Sequence, residues 1–359
     1  MRPTRAIIRL DAIQANLDAA RRFAPASRNI PVIKANAYGH GAVEVARTLE
    51  GQAPAFAVAT MDEALELRGA GIGSPILLLQ GCNDKEAIEE AGARNFWLML
   101  HDRGQVERVL RHSGPSPLTT WLKVDTGMHR LGLTLREAQE ACAQLGASEH
   151  VSDPVTLCTH LACADEPEHP LTARQIAAFR SFAAPLGLPL SIANSAGIMN
   201  WPQSHADWNR PGYMLYGNSP STVFGNEPGL LEPAMTLQSE LIAVREVAPG
   251  EGVGYGQRWT ARQPSRVGTV TIGYADGYPR HAPAGTPVLV NGERVPLVGT
   301  VSMDMITVDL TGIENAAPGD PVELWGENLG VNEVAARAGT IGYELLAGLT
   351  RRVPLVYRS

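Results

Sequence analysis

Residues 56–80 read FAVATMDEALELRGAGIGSPILLLQ and contain one complete strand–helix–strand unit. The first five and last five residues are short apolar runs, typical of strands covered on both faces. Met61–Ala70 between them has the spacing of an amphipathic helix, and Thr60 with Glu63 has the pattern of a capping box at its start. The stretch therefore predicts two parallel strands joined by a helix.

The same alternation continues on both sides of this unit, over about 200 residues. The predicted strands are Pro31–Lys34, Phe56–Thr60, Ile76–Gln80, Phe96–Leu100, Thr119–Asp125, Val155–Leu161, Leu190–Asn194 and a run near Tyr213–Tyr216, and further helices are predicted at Asp102–Arg111, Leu135–Leu145 and Thr172–Ala184. Eight such repeats predict a parallel (β/α)8 barrel of the TIM type. A doubly wound open sheet is the alternative, although no GxGxxG motif opens the first helix.

The pattern changes near Glu232-Pro233, after which β-rich segments follow without long helices between them. Asn291-Gly292, between two Val-rich runs, predicts a type I′ hairpin. We therefore expect an α/β protein with two domains, a barrel at residues 1–231 and a mostly β domain at 232–359. In the second domain the predicted strands are Thr236–Val247, Ser265–Ile272, Thr286–Val290, Arg294–Val301, Met305–Leu310 and Pro321–Leu324, with one short helix at Val331–Ala338.

The composition of the chain excludes several classes of protein. The 359 residues are 44% hydrophobic and 19% charged, so the chain can bury a core in each domain. A net charge of −7 without a basic arm argues against nucleic acid as a partner, and no apolar run is long enough for a membrane helix or a signal peptide. Four cysteines are too few for a disulfide scaffold, and Cys158, His160 and Cys163 lack the spacing of a zinc site. We expect a cytoplasmic protein with free thiols and no metal.

Functional side chains of a parallel barrel lie where its strands end. The sequence places Lys34 at the end of the first strand, Lys123 at the end of the fifth, His160 at the end of the sixth, Ser195 at the end of the seventh and Arg210 beside the eighth. Two interpretations of the first lysine remain open, because its amine either forms a Schiff base in an apolar setting or reaches solvent. Barrels often bind phosphate on the loops after strands seven and eight, so an aldehyde phosphate such as pyridoxal phosphate would fit the first interpretation.

Several longer motifs occur in order along the chain. They are VIKANAYGHG at 32–41, KVDTGMHRLG at 123–132, ANSA at 193–196, RPG at 210–212, GYG at 254–256, IGYADG at 272–277 and SMD at 302–304. Together they resemble the alanine racemase family over essentially the whole chain. The resemblance implies a barrel followed by a β domain, pyridoxal phosphate as cofactor, and isomerase activity that interconverts L-alanine and D-alanine. It also implies a homodimer whose active sites are shared between subunits.

The resemblance assigns the two catalytic bases. Racemisation removes the Cα proton from one face of the substrate and returns it on the other, which two bases on opposite faces do most directly. By resemblance, Lys34 holds the cofactor through a Schiff base and then serves one face, and Tyr255 of the partner subunit serves the other. A free phenol is a poor base near pH 7, so a nearby cation must favour its charged form. His160, which the family places near the cofactor ring, is the candidate.

The resemblance also assigns the contacts to cofactor and substrate. Arg210 would hydrogen-bond the pyridine nitrogen and, being permanently protonated, could not accept a proton from it. Arg130 would orient the substrate carboxylate, held by Lys123, a position that is carbamylated in many family members. The remaining implied contacts are Tyr38, Ser195, Gly212, Tyr213 and Tyr343 for the phosphate, Met303 with Asp304 beside it for the substrate carboxylate, and Tyr274 with Tyr343 at the entrance, which would select a small side chain.

Four other functions compete with this one. A broader racemase acting on serine, lysine or arginine is the nearest alternative. A non-catalytic barrel protein that binds pyridoxal phosphate would lack the second domain. A decarboxylase of diamino acids would want a reactive cysteine in the second domain, whereas all four cysteines precede residue 164. A cofactor-free Schiff-base aldolase would leave Arg210 and Ser195 without a role. Supply of D-alanine for peptidoglycan and D-alanine catabolism both remain open.

Overall fold

The computed structural model describes residues 2–220 and 230–359, which form two compact units. The α/β unit contains residues 14–37, 42–220 and 230–231, and the β-rich unit contains residues 2–13, 38–41 and 232–359. No helix within the described parts of the chain is long and apolar enough to cross a membrane.

The α/β unit is built on eight parallel strands. Each strand pairs with the next one along the chain from the second to the eighth, and the eighth pairs with the first. A parallel bridge between Val32 and Ala57 links the chain after the first strand to the second strand and closes the ring. The predicted barrel is therefore confirmed, and the open sheet is excluded. The strands are Arg28–Asn29, Phe56–Val58, Ile76–Leu78, Phe96–Leu100, Leu118–Lys123, Val151–Cys158, Leu190–Asn194 and Trp208–Arg210.

Burial explains why the short barrel strands are apolar. Every residue of Phe56–Val58 and of Ile76–Leu78 is buried, as expected for parallel strands covered on both faces. Several helices begin at a side-chain cap, as at Asp84, whose carboxylate accepts a hydrogen bond from the Ala87 N–H at 2.7 Å. The helices that accompany the strands are Leu10–Phe23, Ala42–Leu49, Met61–Gly69, Lys85–Ala93, Arg103–Leu110, Leu135–Gly146, Pro170–Ala183 and Ser195–Asn200.

Two predicted barrel strands are wrong in detail. Tyr213–Tyr216 is a 3-10 turn, and the eighth strand lies earlier, at Trp208–Arg210. The apolar turn is buried and the Tyr216 hydroxyl donates to the Val32 carbonyl at 2.9 Å, so its composition reflects burial and not extended backbone. The first strand is Arg28–Asn29 and not the predicted Pro31–Lys34, whose last residue begins a helical turn.

The β-rich unit contains a closed circuit of six antiparallel strands. Met235–Val247 closes it by pairing at one end with Pro321–Trp325 and at the other with Ser265–Val270, and a bulge at Leu241/Ala243 bends it between the two. The predicted hairpin is confirmed, because Asn291 and Gly292 both have the positive φ that a type I′ turn requires. The other circuit strands are Pro287–Val290, Glu293–Val298 and Ile306–Asp309, and the helices are Val331–Arg337 and Gly342–Ala347, of which the second was not predicted.

Strand Arg5–Arg9 belongs to the β-rich unit, although the predicted division assigns residues 1–231 to the barrel. It pairs antiparallel with Met235–Val247 and parallel with Leu355–Arg358. No strand is predicted at these residues from the sequence. Local sequence pattern also cannot indicate which sheet a segment joins when its partner lies more than 200 residues away.

Candidate active site

Lys34 begins a left-handed turn directly after the bridge that closes the barrel. Ala35, Asn36, Ala37 and Tyr38 all have φ values of 52–53°, although none of them is glycine. Left-handed backbone costs an ordinary residue about 1–2 kcal/mol, so four in succession must be held by surrounding contacts.

Three hydrogen bonds from side chains or backbone hold this turn. The Ala35 N–H donates to Oε1 of Glu63 at 2.6 Å. The Ala42 N–H donates to Oδ1 of Asn36 at 2.9 Å, and the Ala37 N–H donates to the Ile33 carbonyl at 2.9 Å. The backbone around the lysine is therefore fixed at both ends of the turn.

The amine of Lys34 lies in an environment that favours its neutral form. Burial lowers the pKa of Lys34, and the positive charge of Arg130 lowers it further, while the Glu63 carboxylate acts in the opposite direction. A half-buried lysine with a lowered pKa presents more neutral amine near pH 7 than an exposed lysine does. The electrostatics favour the Schiff-base interpretation over the solvent-exposed one.

Lys123, at the end of the fifth strand, belongs to a cluster of positive groups. It is only 8% exposed, and burial is the main cause of its lowered pKa. The cations Arg210, Arg130 and Lys34 lower that pKa further, while Cys158 acts in the opposite direction. Positive charge concentrated at the carboxyl ends of the strands suits a ligand that carries phosphate or carboxylate.

Arg210 is held from several sides. Its guanidinium donates to the Ser191 hydroxyl, to the Thr159 carbonyl at 2.7 Å and to the Ile192 carbonyl at 3.2 Å. It also lies 3.4 Å from Nδ1 of His160, which must accept because arginine can only donate. The side chain is 5% exposed, so its orientation is fixed before any ligand binds.

His160 is held neutral by its surroundings. Burial lowers its pKa well below the usual range, and the neighbouring Arg210 lowers it further. The lowered pKa argues against His160 as the cation that assists Tyr255, and the neighbouring basic groups that lower it are Arg210, Lys123, Arg130 and Lys34. The role of His160 stays a prediction.

Ser195, Gly212 and Tyr213 are brought together where the seventh and eighth strands end. The Ser195 hydroxyl accepts hydrogen bonds from the Gly212 N–H at 2.9 Å and the Met214 N–H at 3.2 Å, and both Ser195 and Tyr213 are buried. This compact loop has the location that barrels use for phosphate.

Two of the predicted site tyrosines meet in the β-rich unit. The rings of Tyr38 and Tyr343 lie 6.1 Å apart, and burial raises the pKa of Tyr38 to about 12. Gly39 follows with φ 83°, and a Cβ there would lie 2.1 Å from the Leu346 carbonyl oxygen, so this position requires glycine.

Tyr255 lies at the tip of a short hairpin formed by Gly252–Val253 and Trp259–Thr260. Its side chain is 73% exposed, while its carbonyl oxygen accepts a hydrogen bond from the Thr300 hydroxyl at 3.2 Å. The phenol is thus displayed on an ordered loop without being buried by its own chain.

Met303 and Tyr274 lie on neighbouring exposed loops of the same unit. The Tyr274 N–H donates to the Ser302 carbonyl at 3.0 Å, and the Ala275 N–H donates to the Met303 carbonyl at 3.0 Å. Asp304 accepts a 2.6 Å hydrogen bond from Arg352, which also lies 3.2 Å from the buried Asp276.

Sequence reasoning missed several residues that support the cluster. The Ser191 hydroxyl and the Thr159 carbonyl orient Arg210, but neither a single serine on a strand nor a backbone carbonyl gives a sequence signal. Gln175 is buried and bridges the Thr126 hydroxyl at 3.3 Å and the His160 carbonyl at 3.0 Å. The sequence pattern indicates Glu63 only as part of a capping box. Its position three residues after Thr60 also places it close to the end of the second strand.

Models of alanine racemase match the two halves of the chain, the N-terminal domain at residues 8–220 and the C-terminal domain at 234–357. The chain belongs to the alanine racemase family. An alanine racemase from Chromohalobacter salexigens is 51% identical over 100% of this chain and 98% of the relative. A catabolic alanine racemase from Pseudomonas putida is 48% identical over 99% of both chains. The predicted family and isomerase class are confirmed.

Solved structures of alanine racemases agree with this assignment. The biosynthetic enzyme of Pseudomonas aeruginosa superimposes with a TM-score of 0.97 at 48% identity, covering 100% of both chains. The enzyme of Bartonella henselae, solved with covalently bound pyridoxal phosphate, has a TM-score of 0.90 at 30% identity over 100% of both chains. The cofactor predicted for the family is thereby confirmed, and the residues here fit it, with an amine of lowered pKa and a loop built around the Ser195 hydroxyl.

Proposed function

We propose that the chain interconverts L-alanine and D-alanine with pyridoxal phosphate, and that Lys34 both holds the cofactor and serves as the base on one face of the substrate. The observation that carries the proposal is the amine of lowered pKa at a strand end among Arg130, Lys123 and Arg210. When bound, pyridoxal phosphate draws electrons from Cα and makes its proton removable.

Arg210 is proposed to donate a hydrogen bond to the ring nitrogen. Its anchoring by Ser191 and Thr159 supports a fixed orientation, and its permanent charge means that it donates without giving up a proton. Because Arg210 cannot take up a proton, it would leave the ring nitrogen unprotonated and so limit the negative charge that the cofactor accepts, which would favour return of the proton over side reactions. His160 is proposed to lie against the cofactor as a neutral group.

Arg130 is proposed to bind the substrate carboxylate, with Lys123 behind it. The lowered pKa of Lys123 supports its carbamylation, because carbon dioxide reacts with a neutral amine and not with an ammonium ion. The carbamate would carry a negative charge and hold Arg130 by a charge-assisted hydrogen bond.

The remaining proposed contacts are those to the phosphate, to the substrate and at the entrance of the site. The Ser195 loop supports phosphate binding, and Met303 and Tyr274 lie on exposed, ordered loops, as an entrance requires. A narrow entrance would exclude side chains much larger than a methyl group. The proposed phosphate contacts are Tyr38, Ser195, Gly212, Tyr213 and Tyr343; the substrate contact is Met303, supported by Asp304; the entrance residues are Tyr274 and Tyr343.

The active enzyme is proposed to be a homodimer in which residues 232–359 of one subunit supply Tyr255 to the barrel of residues 1–231 of the other. The exposure of Tyr255 supports this, because a base in its own buried site would be covered. Met303, Met305 and Ile341 are also exposed apolar side chains of the same unit. Exposed apolar surface of this kind is typical of a protein–protein interface.

We place the enzyme in the cytoplasm and assign it to D-alanine metabolism. All four cysteines, Cys82, Cys142, Cys158 and Cys163, are free thiols, as is usual in a reducing compartment. D-alanine would be produced for peptidoglycan or consumed in catabolism, since relatives of both kinds are similar to the chain.

Chiral analysis tests the function directly. The purified protein, saturated with pyridoxal phosphate, is incubated with L-alanine or D-alanine, and each reaction is expected to end at the racemic mixture. Serine, lysine and arginine run in parallel test the broader racemase, and faster turnover of any of them than of alanine would favour that alternative. No conversion of either alanine enantiomer would contradict the proposal.

A further inference from the structure

The carboxylate of Glu63 joins two segments that meet beside Lys34. Oε1 accepts the Ala35 N–H at 2.6 Å, on the residue that follows the lysine. Oε2 accepts the Ala59 N–H at 2.7 Å and the Thr60 N–H at 3.3 Å, just after the second barrel strand. One side chain thus ties the loop after the first strand to the end of the second.

This tie acts on a backbone that would otherwise relax. The four left-handed residues after Lys34 are individually unfavourable, and such conformations persist only where their surroundings hold them. Asn36 and Ala37 secure the far part of the turn. Glu63 secures its first amide, the one adjacent to Lys34.

We propose that Glu63 is a positioning residue, whose carboxylate fixes the left-handed turn at residues 35–38 and thereby aims the amine of Lys34. This inference rests on the proposed role of Lys34 as cofactor anchor and base. The simpler alternative is that Glu63 only caps the helix Met61–Gly69, through its bond to the Thr60 N–H. A cap alone would affect stability of the helix but not the turn on the neighbouring loop.

The charge of Glu63 also reaches the lysine. It opposes the lowering of the Lys34 pKa by burial and by Arg130. Removing this charge should therefore lower the pKa of Lys34 further. A variant that loosens the turn should also leave the amine poorly oriented. The amine would then be neutral more often and react more readily with a labelling reagent, while the catalytic rate would fall.

Glu63→Gln is the test, because the new amide keeps the shape but cannot accept on its nitrogen. That nitrogen must face either the Ala35 N–H or the N–H groups of Ala59 and Thr60, so the hydrogen bonds on at least one of these two sides are lost. Asp62→Asn is the matched control, since it removes the same charge from an exposed neighbour on the same helical turn.

Three measurements report the effect. In the cofactor-free chain, hydrogen exchange of a peptide covering residues 33–42 should be about tenfold faster in Glu63→Gln, and competitive amine labelling should give a lower pKa for Lys34. In the enzyme loaded with cofactor, kcat should fall about tenfold with KM nearly unchanged, because the orientation of the Lys34 amine matters in the transition state and not for substrate binding. Asp62→Asn should resemble the wild type in exchange and kcat.

Exchange that rises only within residues 61–69 would overturn the proposal and leave Glu63 as a helix cap. Unchanged kcat together with faster exchange of residues 33–42 would also overturn it.

If Glu63→Gln does not fold, Glu63→Asp replaces it. The shorter carboxylate of this variant should loosen the turn but leave the pKa of Lys34 nearer the wild-type value. Wild-type protein that fails to racemise alanine would contradict the proposed function instead, while the exchange measurement on the cofactor-free chain remains readable.

Discussion

Lys34 and Tyr255, the two proposed bases, lie in opposite environments. Lys34 is half-buried just after the bridge that closes the barrel, a left-handed turn follows it, and burial and Arg130 lower its pKa. Tyr255 is 73% exposed on a hairpin tip. If the proposed roles are correct, one base is prepared by its own chain and the other would be prepared by a second copy. Substitutions on either side of this contrast should therefore have different effects.

The largest expected effect is that of Lys34→Ala. The variant should lose the visible absorbance of bound pyridoxal phosphate and lose racemase activity by about 10⁴-fold or more, because the anchor and one base disappear together. Absorbance and chiral assays measure both losses. Lys85→Ala, at a lysine that is 72% exposed on a helix, is the control and should retain both. Full activity in Lys34→Ala would rule out its role.

Tyr255→Phe should have the next largest effect. Cofactor absorbance should persist, while the rate should fall about 10²- to 10³-fold through loss of one proton-transfer group. Deuterium incorporation at Cα from heavy water should be impaired more severely when the reaction starts from L-alanine. Loss of cofactor binding in this variant would count against its role as a base.

Mixing the two variants shows whether the bases come from different subunits. When the dimers of Lys34→Ala and Tyr255→Phe exchange subunits at random, half should be mixed, and each mixed dimer contains one site with both residues intact. Activity should then return to about one quarter of the wild-type value, as two-fold symmetry requires. If both bases came from the same subunit, mixing would restore nothing.

A smaller effect on stability is expected from the half-buried imidazole of His160, on the Lys34 side. Burial and Arg210 hold the pKa of His160 well below its usual value, so in acid the unfolded chain binds more protons at this group than the folded chain does. The free energy of unfolding should therefore fall as the pH is lowered through about 6.5, by at most about 1.4 kcal/mol at pH 5.5. Urea unfolding of the cofactor-free protein at pH 7.5 and 5.5 measures this fall.

The same measurement on two variants isolates the contribution of His160. His160→Gln should remove most of that fall, whereas His281→Gln, at an exposed histidine, should leave it in place. An identical pH dependence in His160→Gln and the wild type would mean that the imidazole is not held neutral.

The sequence predicted the barrel because strand–helix repeats are local, and it predicted Lys34 because a long motif surrounds it. It misplaced the eighth strand because Tyr213–Tyr216 is apolar through burial, whereas the true strand carries Asn209 and Arg210. It did not reveal that His160 is neutral, since that depends on the cations and buried groups that folding brings around it. The roles given to the site residues stay predictions.

Strand Arg5–Arg9 has a consequence for how the protein is made. Its neighbours in the sheet are Met235–Val247 and Leu355–Arg358, so this strand leaves the ribosome more than 200 residues before either of its partners. Throughout translation of the intervening residues it remains an unpaired edge, exposed to chaperones and to other nascent chains. A fragment that starts at residue 232 would lack the strand that lies between Met235–Val247 and Leu355–Arg358. Such a fragment should fail to reach the native state unless a peptide of residues 2–13 is added back.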